Sequence, residues 1–391
     1  MTPRLLVVAA GYPTETSFAG AFHRDQFRLV AESGFDVTVI VPTPWVPPLL
    51  GRLRRSASAY AAAPLRQVDG AVTILRPRYV TVPGETRWFF PDLTQYLSVR
   101  ALGLPRPDII QGFYGFPPGA VARRLARDWR VPYFVGLLGD DVNLYPAQRA
   151  RTRRVLSAVV RDAAFAFANG PTLAATATQV TQVRVHNLPI GVAAERFSSL
   201  PTRREARAAL GLPVDKVLAL YVGSLLPAKG TAELADALGR LAASNIVGVA
   251  VGDGPLRDRL TQEKNAIWLG SRPAREVALA LAAADFLVHP SHSEGLPIAV
   301  LEAAFARLPI VITDARGCID LGRDGRALLV PVNDPAALAR AMRQAADDPA
   351  AMASRAQAMY DHVRAHYSLT TNTQRLISLY RDQLAAVRER R

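Results

Sequence analysis

Glu294 and Glu302 are two carboxylates at a spacing that could bind a ligand rich in hydroxyl groups. Glu294 lies in the sequence Ser-Glu-Gly-Leu-Pro-Ile of residues 293–298, just after an apolar run that ends at His289. Pro297 suits the first turn of a helix, so Glu294 precedes that helix and Glu302 lies on it. The backbone amides of a first helical turn favour a diphosphate, and carboxylates beside it accept hydrogen bonds from vicinal hydroxyls. For two glutamates taken alone, the alternative is one helix-start residue and one solvent-facing residue.

Several short motifs, most of them containing glycine and one containing a lysine, occur in a fixed order in the same half of the chain. They lie in residues 221–224 (Tyr-Val-Gly-Ser), 229–230 (Lys-Gly), 252–255 (Gly-Asp-Gly-Pro), 269–271 (Leu-Gly-Ser), 324–331 and 334–335. One such turn, or one pair of glutamates, would be weak evidence, whereas the ordered set across residues 217–338 is highly specific. In these residues the C-terminal half of the chain resembles the retaining glycosyltransferases of family 4.

The resemblance implies a role for each matching residue. Lys229 matches the lysine that neutralises the donor diphosphate, and Glu294 matches the carboxylate near the transferred sugar, so these two are the catalytic candidates. Glu302 matches the carboxylate that binds the ribose. The other donor-side candidates act through the backbone or a small side chain; they are Gly223, Ser224, Gly252, Gly254, Gly295, Leu296 and Pro297. For Gly252 and Gly254, a simple strand-to-helix turn is an equally good interpretation.

The N-terminal half resembles the family less closely. Gly20 matches the glycine of a loop that approaches the diphosphate from the acceptor side, although a tight helix start explains it equally well. Residues 137–143 (Leu-Leu-Gly-Asp-Asp-Val-Asn) contain Asp140 and Asp141, which are candidates to bind acceptor hydroxyls. The alternative for Asp140 is that it caps the next helix. Residues 190–197 match the segment that closes the first domain.

Two positions depart from the family pattern. Ser224 stands where the family usually has an arginine that is paired with the lysine over the diphosphate, and a serine brings no charge. Leu138 stands where a histidine or arginine often precedes the glycine. One hypothesis is that another arginine, Arg272 or Arg316, supplies the missing charge from a loop.

The pattern of apolar runs predicts an α/β fold in both halves. Runs of strand length alternate with amphipathic segments of helix length, which is typical of a mostly parallel sheet covered by helices on both faces. The predicted strands are residues 5–9, 36–41, 72–75, 108–110, 132–135, 165–168, 183–185, 217–222, 247–251, 267–269, 286–288, 310–312 and 327–330. The predicted helices are residues 120–130, 147–161, 231–243, 255–262, 275–284, 298–306 and 335–346.

The length of 391 residues exceeds what one hydrophobic core usually organises, so two domains are expected. The resemblance implies a GT-B architecture, in which two doubly wound Rossmann-like domains face each other across a cleft. We predict an N-terminal acceptor-side domain at 1–197, a polar hinge at 198–213 and a nucleotide-sugar donor-binding domain at 214–367. Residues 368–391 are predicted to form a C-terminal helix that packs back on the N-terminal domain.

The net charge of +14 is the main compositional anomaly, and it allows binding to nucleic acid, an anionic membrane or phosphorylated substrates. No zinc-ligand spacing, aromatic–basic RNA motif or basic heptad region is present, so nucleic acid is not expected as a partner. The single cysteine, Cys318, has no partner for an intrachain disulfide. No apolar run approaches the roughly 20 residues of a membrane-spanning helix. We therefore predict a cytoplasmic protein, with the inner face of the plasma membrane as a more specific location.

Residues 44–55 join Trp45 and several leucines to Arg52, Arg54 and Arg55. This composition suits peripheral contact with an anionic membrane, because the apolar side chains enter the interface and the arginines reach lipid phosphates. Further arginines nearby in sequence are Arg149, Arg151, Arg153 and Arg154. The alternative is an ordinary long loop with a packed tryptophan.

The resemblance implies that the chain is a retaining hexosyltransferase. It would move a sugar from a nucleotide sugar, a UDP- or GDP-sugar, to a hydroxyl of a glycan or lipid-linked acceptor in surface polysaccharide or glycolipid assembly. No further cofactor and no metal ion is expected. A non-catalytic glycan-binding or partner subunit derived from the same fold is one alternative, supported by Ser224 and Leu138. A sugar-nucleotide epimerase of the same architecture is the other.

Overall fold

The computed structural model describes residues 2–14, 20–47, 60–81 and 91–389. By its internal contacts the chain divides into two compact units, one made of Met1–Ile190 with Thr370–Arg391 and one made of Gly191–Leu369. These divisions differ from the predicted boundaries at 197 and 367. The physical reason is a pair of backbone hydrogen bonds that join the two ends of the second unit. The Val192 N–H donates to Tyr367 O at 3.0 Å, and the Val192 carbonyl accepts from the Leu369 N–H at 3.1 Å.

The first unit is built around an eight-stranded sheet in the part of the chain that is described. The strands of this unit are β1 Arg4–Val8, β2 Asp36–Ile40, β3 Thr43–Pro44, β4 Arg66–Asp69, β5 Val72–Leu75, β6 Arg78–Tyr79, β7 Ile109–Phe113, β8 Tyr133–Leu137, β9 Phe165–Ala168 and β10 His186–Asn187. The order across the sheet is β10-β9-β8-β7-β1-β2-β5-β4, and β3 pairs with β6 separately. Neighbours in the large sheet are parallel except β4, which runs antiparallel to β5.

The second unit contains a six-stranded sheet with every pair parallel. Its strands are β11 Val217–Val222, β12 Ile246–Val251, β13 Ala266–Gly270, β14 Phe286–His289, β15 Ile310–Thr313 and β16 Leu328–Val330. They follow the order β13-β12-β11-β14-β15-β16, which reverses between β11 and β14. The first sheet reverses between β1 and β7 in the same way. Ligands of doubly wound sheets bind beyond the carboxyl ends of the strands at such a reversal, so the loops after these four strands are candidate ligand-binding loops.

Helices connect the strands in both units. They are α1 Ala21–Glu32, α2 Pro91–Arg100, α3 Pro118–Trp129, α4 Asp140–Asn143, α5 Tyr145–Gln148, α6 Ala150–Asp162, α7 Pro171–Thr181, α8 Arg203–Leu210, α9 Thr231–Arg240, α10 Arg257–Thr261, α11 Ala274–Ala283, α12 Ile298–Phe305, α13 Ile319–Gly322, α14 Pro335–Asp347, α15 Pro349–His366 and α16 Leu369–Glu389. Within the described ranges, none of them is long and apolar enough to cross a membrane.

Both faces of the second sheet are buried, as the apolar runs of the sequence predict. On β11, Leu218 and Leu220 belong to one hydrophobic cluster, whereas Ala219 and Tyr221 belong to another. Successive side chains of a strand point to opposite faces, so the two clusters are the two sides of the sheet. The helical segments α11 and α12 contribute to the first cluster, and α9 and α14 to the second. Burial on both sides explains why the strands are continuously apolar rather than alternating.

The segment predicted as a hinge is largely a helix of the second unit. Thr202 caps α8 through its hydroxyl, which accepts from the Glu205 N–H, and the Glu205 carboxylate accepts from the Thr202 N–H in return. Arg207 is buried, and its guanidinium donates to Ala283 O at 2.9 Å and to the Asp285 carboxylate at 2.7 Å. The polar sequence of this segment therefore reflects a capped helix and a buried ion pair, whereas a linker would leave these groups in water.

The predicted strands overlap observed ones, with ends that differ by at most three residues, except for the strand expected at 183–185, which overlaps none. The observed strand β10 begins at His186 instead. The N–H of Val185 donates to Thr178 Oγ1 at 3.0 Å, and the Val185 side chain is buried with the core. The Val185 N–H therefore bonds to a side chain of helix α7 and does not bond to a neighbouring strand.

The C-terminal helix α16 contributes to the core of the first unit. Tyr380 is completely buried, with ring centroids 5.9 Å from Phe35 and 5.0 Å from Phe134. Its hydroxyl donates to Gln111 Oε1 at 3.0 Å, so the polar end of the ring is satisfied as well. Burial of such a side chain stabilises the unit by about 1.5–3 kcal/mol.

Candidate active site

The turn after β11 lies at the strand-order reversal of the second unit and contains Gly223 and Ser224. The Gly223 N–H donates to Val251 O at 3.0 Å, and the Tyr221 hydroxyl donates to Ser224 O at 2.8 Å. Both bonds hold the main chain of the turn. The Ser224 side chain is exposed, so it brings a hydroxyl but no charge to this position.

Gly252 and Gly254 allow the turn after β12 to contact the turn after β11. A Cβ added at Gly252 would lie 1.9 Å from Gly223 O, and one added at Gly254 would lie 2.5 Å from Leu225 O. Gly252 also has a φ of +139°, which side chains rarely adopt. The two glycines therefore have a packing role in the structure, and their contact with a nucleotide stays a prediction.

Lys229 ends a short 3₁₀ helix, Pro227–Lys229, on the same loop. Gly230 follows with a φ of +69°, and a Cβ there would lie 1.9 Å from Pro290 O. The N–H of His292 donates to Ala228 O at 3.0 Å. These contacts fix the loop after β11 against the loop after β14, and they hold Lys229 at the reversal.

The Glu294 carboxylate accepts hydrogen bonds from two side chains. Lys229 Nζ lies 2.7 Å from Glu294 Oε1, and His289 Nε2 lies 3.1 Å from the same oxygen. Nε2 of His289 carries a proton in this contact, because an ionised carboxylate only accepts. His289 is not among the site residues predicted from the sequence. The available signal was a polar residue at the end of the apolar strand β14, beside the reversal.

The surroundings of Glu294 favour its ionised form. Burial alone would raise the pKa of this carboxyl, but the hydrogen bond from His289 and the positive charge of Lys229 lower it to about 2. Glu294 is therefore anionic throughout the neutral pH range. A fixed anion beside a lysine can stabilise positive charge on one part of a ligand while the lysine binds negative charge on another.

The backbone of Glu294 is held by a third loop, the one after β15. Its N–H donates to Arg316 O at 2.9 Å. Gly317 has a φ of +78°, and a Cβ there would lie 2.4 Å from Glu294 O. This contact is not predicted from the sequence, in which the glycine after Arg316 is the available local signal.

Residues 295–297 lead from Glu294 into helix α12. Leu296 and Pro297 are buried, and the carbonyl of Pro297 accepts from the Val300 N–H at 3.0 Å. The first amides of a helix have no intrahelical acceptor and lie at the positive end of the helix dipole. Residues 295–297 therefore lead into the start of helix α12, and the binding of an anion there stays a prediction.

Glu302 lies further along α12 and is almost buried, with 15% of its side chain exposed. Burial raises the pKa of Glu302 to about 7, against the lowering effect of Arg196, whose Nη1 lies 3.6 Å from Glu302 Oε1. Arg196 belongs to the 3₁₀ helix Ala194–Phe197. The sequence analysis placed this residue only in the segment that closes the first domain, because nothing in its spacing points to Glu302.

Gly20 lies at the strand-order reversal of the first unit, at the start of α1. It has a φ of +76°, and a Cβ there would lie 2.4 Å from Gly11 O in the loop after β1. This contact requires a glycine whether or not a ligand binds. Residues 15–19 lie outside the described part of the chain, so the approach of this loop to a diphosphate stays a prediction.

Asp141 is completely buried and ties two loops of the first unit together. Its Oδ1 accepts from the N–H groups of Leu138 and Gly139 at 3.1 and 2.8 Å, and its Oδ2 accepts from the Gly115 N–H at 2.7 Å. Burial raises the pKa of Asp141, against the lowering effect of these amides. A direct bond to an acceptor would have to displace an amide. Asp140 is exposed at the first position of α4 and does not cap it.

The basic segment predicted to touch a membrane is described only in part. Trp45 has 53% of its surface exposed, whereas residues 48–59, including Arg52, Arg54 and Arg55, lie outside the described ranges. In the second basic group, Arg151 donates to the buried carboxylate of Asp92 at 3.0 Å. The other arginines that are exposed there are Arg153 and Arg154.

The second unit thus brings together Lys229, Glu294 and the N-terminus of α12, with Glu302 on the same helix. The arrangement can hold a polyanion and present a carboxylate beside it. Among residues 2–14, 20–47, 60–81 and 91–389, no three His, Cys, Asp or Glu side chains are grouped so as to hold a metal ion.

Two family models match the chain: "Glycosyl transferases group 1" over residues 202–362 and "Glycosyl transferase 4-like domain" over residues 19–191. The putative teichuronic acid biosynthesis glycosyltransferase TuaC of Bacillus subtilis (strain 168) is 31% identical over 382 residues, which covers 96% of this chain and 98% of that protein. The GDP-mannose-dependent alpha-mannosyltransferase of Mycobacterium tuberculosis (strain CDC 1551 / Oshkosh) is 37% identical over 154 residues, 39% of each chain.

Solved structures with a similar fold span the whole chain. Sucrose-phosphate synthase from Thermosynechococcus elongatus has a TM-score of 0.80 at 20% identity, covering 98% of this chain and 100% of that one. Anabaena HepE in complex with UDP and glucose has a TM-score of 0.72 at 17% identity, and the match covers 97% of this chain and 100% of that one. These likenesses concern the fold, and they confirm the predicted GT-B class.

The raised pKa of Glu302 predicts a pH-dependent stability difference between the native protein and Glu302→Gln. An unfolded glutamate has a pKa of 4.5, whereas that of folded Glu302 is about 7, so the folded form binds the proton more tightly. The stabilisation is fully present below pH 4.5 and is lost as pH rises through about 7, by roughly 3 kcal/mol. Relative to Glu302→Gln, the native melting temperature should fall between pH 4.5 and 8 in calorimetry. A difference that does not change with pH would contradict this assignment.

Proposed function

The chain belongs to the group 1 glycosyltransferases, and we propose that it transfers a hexose from a nucleoside diphosphate sugar to an acceptor hydroxyl with retention of the anomeric configuration. The observation that carries the proposal is the Lys229–Glu294 pair, 2.7 Å apart at the strand-order reversal and beside the N-terminus of α12. A cation, a fixed anion and free helix amides at one place suit a ligand that joins a diphosphate to a sugar.

Lys229 and the first amides of α12 would bind the diphosphate and stabilise the negative charge that develops on it as the bond to the sugar breaks. A third of the Lys229 side chain is exposed, at 33%, so a phosphate can reach it. The phosphate would replace Glu294 as the partner of Lys229. Glu294 would keep the hydrogen bond from His289, so its buried charge would retain a donor.

Glu294 would act on the sugar and Glu302 on the ribose. An ionised carboxylate stabilises positive charge at the anomeric carbon and accepts hydrogen bonds from sugar hydroxyls. Glu302 can accept from two ribose hydroxyls once it is ionised. The donor-binding set that we propose also includes Gly20, Gly223, Ser224, Gly252, Gly254, Gly295, Leu296 and Pro297, mostly through the backbone. On the acceptor side we retain Asp140 as a direct contact, and Asp141 as the residue that holds its loop.

The names of the relatives support a surface polysaccharide or related glycan as the product. TuaC is named for teichuronic acid biosynthesis, and HepE was crystallised with UDP and glucose. The mannosyltransferase is named for GDP-mannose. We propose a UDP- or GDP-sugar as the donor on this basis, and a glycan or lipid-linked glycan as the acceptor.

A non-catalytic glycan-binding subunit is the second candidate, and Ser224 is the observation that favours it. Because Ser224 is uncharged, Lys229 is the cation of this loop that can neutralise a leaving diphosphate. The intact Lys229, Glu294 and Glu302 support an active enzyme instead. A sugar-nucleotide epimerase would release an altered sugar without an acceptor, which product analysis distinguishes from transfer.

Peripheral binding to the inner face of the plasma membrane would give the enzyme access to a lipid-linked acceptor. The exposed Trp45 and the chain's net charge of +14 support this location. Aromatic side chains anchor at the interface, while arginines are attracted to anionic headgroups.

Nucleotide binding tests the donor site. We expect one of UDP, GDP and ADP to raise the melting temperature of the native protein, because a ligand at 100 times its Kd stabilises the folded state by about 2.7 kcal/mol. Lys229→Ala and Glu302→Ala should lose most of this shift. Lys264→Ala removes an exposed lysine of the same unit and should keep it. No shift with any of the three nucleotides at millimolar concentration would contradict the donor site.

Transfer with retention tests the reaction. With the donor sugar of the nucleotide that binds and a panel of glycan acceptors, NMR of the product should show the donor's anomeric configuration. Glu294→Gln should lower the transfer rate by roughly 10²–10³-fold, since a buried charge aimed at the reacting centre is lost. Glu276→Gln, at a glutamate that is paired with Arg272 and has 39% of its side chain exposed, is the matched control. An inverted product would refute retention, and donor binding without any transfer would favour the non-catalytic candidate.

Vesicle flotation tests the membrane location. The native protein should float with phosphatidylglycerol vesicles at low salt and not with phosphatidylcholine vesicles. High salt should release it, because ionic strength of about 1 M reduces the Debye length to about 3 Å. Trp45→Ala should weaken binding. Failure to float with anionic vesicles at low salt would end this proposal.

A further inference from the structure

The turn after β11 contributes one cation, Lys229, to the proposed donor site. Ser224 is exposed on the same loop and brings no charge, whereas the resemblance implies an arginine at this position. A leaving diphosphate carries more negative charge than one lysine balances, and electrostatic stabilisation of that charge is a large part of catalysis in such reactions. An arginine from a neighbouring loop could serve the same purpose, if its backbone lies close enough and its guanidinium is not engaged elsewhere.

Arg316 meets both conditions. Its carbonyl accepts the Glu294 N–H at 2.9 Å, and the next residue, Gly317, is in backbone contact with Glu294 as well. Position 316 is therefore fixed to the loop that leads into α12. The Arg316 side chain is exposed, and no carboxylate of the described residues lies within ion-pair distance of it. By contrast, Arg323 and Arg326 on the following segment each pair with an aspartate.

Arg272 fails both conditions. Its guanidinium donates to Leu269 O at 2.6 Å and to the Glu276 carboxylate at 2.9 Å. It follows β13, the edge strand of the sheet, whereas Arg316 follows β15. Neighbouring strands lie about 4.8 Å apart, so β13 is roughly 12 Å from the middle of the reversal between β11 and β14, and β15 only about 7 Å. The shorter distance is within reach of an arginine side chain, whereas the longer one is not.

We infer that Arg316 is a second diphosphate-binding cation, which acts with Lys229 and takes the place of a charge at position 224. This inference rests on the proposed function, because it assigns a further residue to the same donor site. Arg316 would contact the oxygens of the diphosphate, so its charge should matter more for a nucleoside diphosphate than for the corresponding monophosphate.

Calorimetric titration with UDP, GDP and ADP, and with the matching monophosphates, tests the inference at low salt. For the diphosphate that binds the native protein, Arg316→Gln should weaken affinity about tenfold or more, as expected for the loss of a hydrogen bond to a charged group. The affinity for the matching monophosphate should fall clearly less in the same variant. Arg272→Gln removes another exposed arginine of the same unit and should bind like the native protein. Adding Ser224→Arg to Arg316→Gln should restore most of the affinity.

The outcomes separate this inference from the proposed function. If the native protein binds none of the nucleotides, the donor site itself fails. If it binds a diphosphate and Arg316→Gln binds equally well, or loses mono- and diphosphate to the same extent, only the role of Arg316 is overturned. The role of Arg316 is also overturned if Arg272→Gln loses diphosphate affinity and Arg316→Gln does not. Unchanged melting temperatures of the ligand-free variants show that the comparison is between folded proteins.

Discussion

The buried charge of Glu294 is the constraint around which the loops of the second unit are arranged. An ionised carboxylate taken out of water is costly unless it is paired and hydrogen-bonded. Lys229 and His289 meet this need from the loop after β11 and from the end of β14, and the loop after β15 holds the backbone. Three neighbouring strands must therefore deliver their loops to one place. Gly230 makes this possible, because any side chain there would collide with the carbonyl of Pro290.

The ion pair between Lys229 and Glu294 also sets what kind of ligand can bind. A neutral ligand gains little from a lysine whose charge is already balanced, whereas a diphosphate offers more negative charge than the carboxylate it replaces. The lysine is held in place before the ligand arrives, so little side-chain freedom is lost on binding. Since His289 also donates to Glu294, the exchange of partners does not leave the carboxylate without a donor.

The strands of the second unit can be predicted well from the sequence, whereas the contacts between its loops cannot. The strand predicted at residues 217–222 matches β11. A short, continuous apolar run between polar residues is typical of a strand that is buried on both faces. Strand β4 was missed, since an exposed, polar edge strand has no such run. The roles predicted for Lys229, Glu294 and Glu302 rest on a family resemblance. His289 was missed because its role depends on packing, which spacing along the chain does not show. Asp141 was expected at an acceptor, but its carboxylate is buried among backbone amides.

The return of the chain to the first unit has a consequence for synthesis. The ribosome makes the strands of the first sheet before the second unit, whereas Tyr380, whose ring packs against Phe35 and Phe134, is made after it. The second unit, Gly191–Leu369, is an uninterrupted stretch that can fold as soon as it leaves the exit tunnel. The core of the first unit is thus begun before the second unit is made and is completed only after it, so its unfinished apolar surface must be kept from aggregating until helix α16 has been made.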